Sequence, residues 1–224
     1  MTRIKICGLR EVEQALVAVE ARADFVGMVF ADSRRKVTEE KARDLVRTLK
    51  GIASRPEIVG VFAGSAPEEV NRIADFCGLD RVQLSGGESL HYCLSIERPV
   101  ILSLHVSPET SEKSLLESVE EISASSEHKD LLVLLDTKVG SRTGGTGIPF
   151  DWRIAGKVAR RFEVMIAGGL DPTNVGRLIR DVHPWAVDVS SGVETGGNKD
   201  PVKIREFAEA VRKAELSSTS GGPN

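Results

Sequence analysis

A thiol and a carboxyl, far apart in the chain but alike in their setting, are the residues best placed to do chemistry. Cys7 ends the run Ile4-Lys5-Ile6 and is followed by Gly8, while Asp136 ends the run Leu131-Leu132-Val133-Leu134-Leu135. Each would sit at the C-terminal end of its own strand, and in a barrel of parallel strands that end is the face where chemistry is done. Together they could work as base and acid. An unperturbed thiol has a pKa near ~8.5, so little of it is thiolate at neutral pH and Cys7 needs help from its neighbours. Lys5 lies on the same side of the strand but deeper, and is not expected to give that help directly. Asp136, approached by five apolar residues, is expected to stay protonated, which suits an acid. A cysteine beside apolar residues is more often an inert space-filler, and Cys77 and Cys93 are read that way.

Glycine-rich stretches supply a second chemistry. Gly144-Gly145-Thr146-Gly147, Gly168-Gly169 and Ser190-Ser191-Gly192 follow three late strand candidates. Glycine lets backbone N–H groups converge on an anion without a Cβ in the way, and late barrel loops commonly hold a phosphate. Each stretch taken alone could be only a tight turn; their neighbouring positions favour a phosphate cradle. The cationic run Asp32-Ser33-Arg34-Arg35-Lys36 follows the second strand candidate. Such runs are usually solvated, but an arginine at the active face could clamp a substrate carboxylate through two bonds.

The elements that must position these residues alternate along the whole chain. Strand candidates fall at Ile4–Cys7, Asp24–Phe30, Ile58–Phe62, Arg81–Leu84, Val100–His105, Leu131–Leu135, Glu163–Ala167 and Val187–Val189. Amphipathic helical patterns separate them, near Val12–Ala21, Thr38–Leu49, Pro67–Phe76, Ser89–Ile96, Ser111–Ser123, Trp152–Arg161, Thr173–Arg180 and Val202–Ala214. Eight βα units predict an α/β fold of the (β/α)₈ TIM barrel kind. An open doubly wound sheet is the competitor, and no Gly-x-Gly-x-x-Gly follows the first strand to support it. One catalytic domain is expected over residues 1–215, with a disordered tail over 216–224 that is rich in serine and glycine.

A net charge of −3 gives no electrostatic footprint for nucleic acid and no basic tract for a membrane surface. Lys5 and Arg10 interrupt the start before any long apolar run develops, so no signal peptide is expected and the location expected is the cytoplasm. The three cysteines and four histidines show no metal-ligand spacing, so no metal is expected.

In combination these motifs resemble phosphoribosylanthranilate isomerase. The resemblance rests on Lys5-Ile6-Cys7-Gly8, Ser33-Arg34-Arg35, Val82-Gln83-Leu84, Leu134-Leu135-Asp136, Gly144-Gly145-Thr146-Gly147 with Phe150-Asp151-Trp152, Ala167-Gly168-Gly169-Leu170, and Val187-Asp188-Val189-Ser190-Ser191-Gly192-Val193-Glu194. It runs in order from the first strand to Lys199-Asp200. The resemblance implies a TIM barrel of tryptophan biosynthesis that converts N-(5-phosphoribosyl)anthranilate to 1-(2-carboxyphenylamino)-1-deoxyribulose 5-phosphate by an Amadori rearrangement. By family pattern Cys7 is the general base, taking the proton from C2′, and Asp136 is the general acid, protonating the furanose oxygen. Arg35, Gln83 and Asp188 would bind substrate, with Arg35 on the anthranilate carboxylate. Gly145, Gly147, Gly168, Gly169, Ser190, Ser191 and Gly192 would hold the phosphate. The chemistry is redox-neutral, so the resemblance implies no cofactor, and the partner implied is a small phosphorylated molecule, bound by a monomer or homodimer.

One position departs from the family. A histidine usually follows Val-Gln-Leu, and here Ser85 stands there, a change that bears on substrate affinity or on the hydrogen bonding of Gln83. Three other readings remain: a related or dual-substrate sugar-phosphate isomerase of histidine biosynthesis, a metal-dependent pentose-phosphate epimerase, and a barrel that binds a phosphorylated ligand without turnover. The first would carry a carboxylate at the end of strand one, where this chain has Cys7. The second would want histidines at several strand ends, and only His105 is so placed.

Overall fold

The computed structural model describes residues 1–107, 109–125, 130–136 and 152–219. Within them, strands β1 (Arg3–Cys7), β2 (Phe25–Val29), β3 (Glu57–Phe62), β4 (Arg81–Leu84), β5 (Val100–His105), β6 (Leu131–Asp136), β7 (Val164–Ala167) and β8 (Ala186–Val189) close into one barrel. Neighbours are parallel throughout, and β1 closes on β8 in the register Lys5↔Asp188. The (β/α)₈ architecture expected from the alternating pattern is the one observed.

Both faces of these strands are covered, as a parallel sheet requires. Outward residues such as Ile4, Ile6, Val26, Met28, Val82, Leu84, Val187 and Val189 share one apolar core with the helix faces. Inside, Phe25, Val59, Ile101, Leu134, Met165 and Ala186 fill the lower barrel as a dry plug. Above that plug the inward positions turn polar, and Lys5, Gln83, Ser103 and Asp188 are all buried. The sequence thus spends its apolar inward residues on the floor and its polar ones below the mouth.

The helices are α1 (Val12–Glu20), α2 (Glu39–Lys50), α3 (Pro67–Cys77), α4 (Leu90–Cys93), α5 (Glu112–Ala124), α6 (Trp152–Ala159), α7 (Val175–Val182) and α8 (Pro201–Thr219). Thr38 caps α2 by accepting a hydrogen bond from the Lys41 amide, with Glu39 and Glu40 in the first turn. That arrangement satisfies an orphan donor and suits the helix dipole. Pro67 opens α3, and Gly78 closes it in the left-handed region at φ 73°.

Three helices depart from the pattern. The fourth is a single turn rather than Ser89–Ile96; after Cys93 the chain tightens through i to i+3 bonds at Leu94, Ser95 and Ile96. Pro99, next to the start of β5, disfavours helical backbone at Arg98, so the segment cannot run on into a longer helix. The seventh begins two residues later than the Thr173 expected, because Asp171 Oδ1 accepts bonds from the Thr173 and Asn174 amides and holds them in a turn. The last runs past Ala214 to Thr219, since Glu215 Oε1 accepts from the Thr2 amide at 2.7 Å and its hydroxyl at 2.6 Å. The tail expected from residue 216 therefore starts inside α8, and residues 220–224 lie outside the described residues.

Candidate active site

Cys7 ends β1 with its side chain turned inward, and the residue is 7% exposed. Two glycines make its setting. Gly8 has φ +82°, and a Cβ there would lie 2.6 Å from Arg35 Cδ, so only glycine lets the arginine stem cross the strand end. Gly27 is the β2 register partner of Cys7, and a Cβ there would lie 2.8 Å from the sulfur. The thiol occupies the space that this missing side chain leaves.

Two strand positions deeper, Lys5 is fully buried, and its Nζ lies 3.0 Å from Asp188 Oδ1 across the β1–β8 seam. Burial disfavours its charge, but Asp188 and Cys7 outweigh that and hold the ammonium above the ordinary lysine range. Burial lifts the Cys7 thiol above its ordinary value; Lys5 pulls it back by charge and by hydrogen bonding, Asp188 lifts it, and Lys199 pulls it back. Against the expectation of no direct help, the charge of Lys5 favours the thiolate, while the hydrogen bond its Nζ makes goes to Asp188. Burial also lifts Asp188, against the pull of Lys5 and with the added repulsion of Asp136.

Asp136 ends β6, three strands round from β1, with Cα partners His105 on β5 and Ala167 on β7. Its side chain is 24% exposed at the rim, and Oδ2 lies 3.8 Å from His105 Nδ1. The apolar run below it fills the barrel wall rather than enclosing the carboxyl. His105 Nε2 lies 3.2 Å from the Ser85 carbonyl oxygen. Beneath it, Gln83 Nε2 donates to Ser85 Oγ at 3.0 Å and to Ser103 Oγ at 3.4 Å, and the two hydroxyls are 2.9 Å apart. Gln83 Oε1 is buried with no hydrogen-bond partner among the described residues, so within them the side chain expected to bind substrate keeps an unused acceptor in the barrel mouth.

Arg35 is not a free cation awaiting an anion. Its Nε and Nη2 bond Glu194 Oε1 at 2.6 Å and Oε2 at 3.0 Å. Arg34 and Lys199 bind the same carboxylate at 2.7 and 2.9 Å. Burial works against charge on Glu194, but the bonds from Arg35 and Lys199 win and hold its carboxyl down at about 2. Glu194 and Lys199 belong to a hairpin of β9 (Glu194–Thr195) and β10 (Asn198–Lys199), joined by Gly196 and Gly197 at φ 60° and 80°. Two positive-φ glycines between paired strands are the signal of a tight hairpin turn. That signal is readable in Thr195-Gly196-Gly197-Asn198, although motif reading singles out neither Glu194 nor Lys199 as a site residue. Lys199 Nζ also donates to the Ser190 carbonyl at 2.8 Å, tying the hairpin to the end of β8.

Beyond β7 and β8 the late loops meet. Gly168 and Gly169 have φ 97° and 65°, and Ser191–Val193 forms one 3₁₀ turn. A Cβ on Gly192 would lie 1.9 Å from the Leu170 carbonyl oxygen, so the two loops pack backbone to backbone. Ser190 Oγ donates to the Cys7 carbonyl at 3.1 Å and joins this region to the end of β1. Gly145 and Gly147, expected to share in the phosphate cradle, lie outside the described residues. Burial pushes the Cys77 and Cys93 thiols up to about 11, in keeping with space-filling residues.

The barrel mouth thus gathers Cys7, Lys5, Asp188, Asp136, Arg35, Gln83 and the turns after β7 and β8. A family model described as N-(5′-phosphoribosyl)anthranilate (PRA) isomerase matches residues 4–210. The N-(5′-phosphoribosyl)anthranilate isomerase of Dehalococcoides mccartyi is 46% identical over 215 residues, 96% of this chain and 98% of that protein. The enzyme of the same name from Desulforudis audaxviator is 43% identical, over 96% of this chain and 100% of that one. The crystal structure of phosphoribosyl anthranilate isomerase from Thermotoga maritima superposes with a TM-score of 0.81 at 37% identity, covering 95% of this chain and all of that one. A crystal structure of phosphoribosyl anthranilate isomerase in complex with reduced 1-(o-carboxyphenylamino)-1-deoxyribulose 5-phosphate superposes at 0.78 with 35% identity, covering 95% of this chain and 100% of that one. With the family model spanning nearly the whole barrel and relatives this similar along their full length, the chain belongs to the N-(5′-phosphoribosyl)anthranilate isomerase family.

Proposed function

We propose that the chain converts N-(5′-phosphoribosyl)anthranilate to 1-(2-carboxyphenylamino)-1-deoxyribulose 5-phosphate, the Amadori step of tryptophan biosynthesis, with Asp136 as general acid and Cys7 as general base. Family membership supports the reaction. The observation that carries the residue roles is the placement of Cys7 and Asp136 at the ends of β1 and β6, above one dry floor. Asp136, at the rim, gives its proton to the furanose oxygen, and the ring opens to a protonated Schiff base. That cation acidifies C2′, and Cys7 takes the proton from it. A soft base suffices once the carbon is so activated, and each proton transfer is commonly worth about 10² to 10⁴ in rate.

The 5′-phosphate is read onto the backbone around Gly168, Gly169, Ser190, Ser191 and Gly192, where side chains do not obstruct approach. The anthranilate carboxylate is read onto Arg35, whose fork then trades or shares Glu194. Gln83 Oε1 offers an acceptor to a sugar hydroxyl, and Asp188 lines the floor beside the base. The reading includes a cytoplasmic location; among the described residues no helix is long and apolar enough to cross a membrane.

The test is a turnover assay on purified protein, following loss of anthranilate-type fluorescence, run beside the aminoaldose substrate of histidine biosynthesis. Turnover of the first substrate is expected. No turnover of it would overturn the reading, and turnover of both would make the chain a dual-substrate isomerase.

A further inference from the structure

Cys7 can act as a base only as a thiolate, and burial opposes that form. What offsets the burial sits directly beneath it. Lys5 lies two residues earlier on the same face of β1, is fully buried, and holds Asp188 at 3.0 Å. The titratable or charged groups acting on the thiol are Lys5 from β1, Asp188 from β8 and Lys199 from β10. Asp136 on β6 acts in turn on Asp188. From β2 the neighbours are Gly27 and Val29, which carry no charge. Lys199 is already bonded to Glu194 and the Ser190 carbonyl. Among the described residues Lys5 has a single hydrogen-bonded carboxylate for its three N–H donors.

We propose that Lys5 is the positioning residue for the base, its ammonium shared between Asp188 and Cys7 and serving as the counter-ion of the Cys7 thiolate. This rests on the reading of Cys7 as the base. In the proton-abstraction step the thiolate lone pair forms the S–H bond. The C2′–H electron pair becomes the C1′–C2′ double bond, and the C1′=N pair moves to nitrogen. The thiol that results is neutral, Lys5 keeps its proton, and its charge falls back on Asp188. No charge has to enter or leave the closed floor of the barrel. Asp188 is then a competitor for the ammonium as well as a substrate contact, so removing it and removing Lys5 should move the thiol in opposite directions.

The experiment is the pH dependence of Cys7 alkylation by iodoacetamide, read on the Cys7 peptide by mass spectrometry so that Cys77 and Cys93 do not contribute. Lys5→Met is expected to raise the midpoint by about one unit or more, which slows alkylation near neutral pH about tenfold per unit. Lys5→Arg should return it toward wild type. Asp188→Asn should lower it. In turnover, Lys5→Met should reduce kcat with a much smaller change in KM. If Lys5→Met fails to fold because Asp188 is left buried and unpaired, the double variant Lys5→Met/Asp188→Asn removes both charges and should keep the raised midpoint. A folded Lys5→Met or double variant titrating like wild type, or an Asp188→Asn variant whose midpoint stays put or rises, would overturn the proposal. Failure of the parent reading shows separately, as normal turnover in Cys7→Ala.

Discussion

The proposed roles place opposite demands on Cys7 and Asp136: a base must give up its proton before it can act, and an acid must hold one. Their settings differ, with the thiol buried at the end of β1 two residues beyond Lys5 and the carboxyl at the rim, its Oδ2 3.8 Å from His105 Nδ1. Cys7→Ala and Asp136→Asn should each lower kcat by about 10² to 10⁴, with melting temperatures close to wild type, since neither holds the core together. Steady-state kinetics beside thermal melts checks both, and near-normal turnover in either variant removes that residue from the mechanism. The chain announces these two residues clearly, because each ends an apolar run. It hides their partners. The bond of Arg35 to Glu194 joins residues 159 positions apart, and no local pattern signals it. Lys5 is visible two residues from Cys7, but only the fold shows it fully buried and bonded to Asp188, 183 positions away.

At the scale of elements, the hairpin β9–β10 controls the rim. Its Glu194 gathers Arg34, Arg35 and Lys199, and so joins the loop after β2 to the segment after β8. The folded carboxyl titrates at about 2 against an ordinary 4.5. Because the folded value is depressed, this group stabilises the fold fully above its unfolded value and loses that contribution as pH falls toward about 2. Glu194→Gln should therefore lower the melting temperature at pH 7, by the equivalent of about 1–3 kcal/mol. The gap from wild type should close progressively between about pH 4.5 and 2. Melts across that range check it, and a gap that persists unchanged at pH 2.5 contradicts the assignment. All eight barrel strands were legible from β-branched and apolar runs, because burial on both faces leaves a continuous signature. Helix ends were less so. The fourth helix is one turn that passes into i to i+3 bonds, and the eighth is held by a side chain, Glu215, whose partner Thr2 lies at the other end of the sequence. Periodicity sees neither a change of hydrogen-bond spacing nor a tether from afar.

Viewed as a whole molecule, the barrel divides labour between its two ends. The candidate site gathers where the strands finish, and the other face carries structural pairs. There Arg81 bonds Glu57 at 2.9 Å, and Arg3 lies 4.2 Å from the Trp185 ring centroid. The Glu215 clasp also belongs to that quieter face. Through it residue 2 and the last helix are held within hydrogen-bonding distance. A circle is therefore already almost drawn in the backbone. Linking residue 215 to residue 1 through a short flexible peptide and opening new ends between Ala53 and Ser54, both exposed, should give a circular permutant. It should fold and keep kcat within about tenfold of the parent chain. Circular dichroism and the fluorescence assay decide this, and a permutant that fails to fold would show that this barrel needs β1 as a free starting edge. The order in which the eight units are read from the gene is then a separate matter from the ring they form.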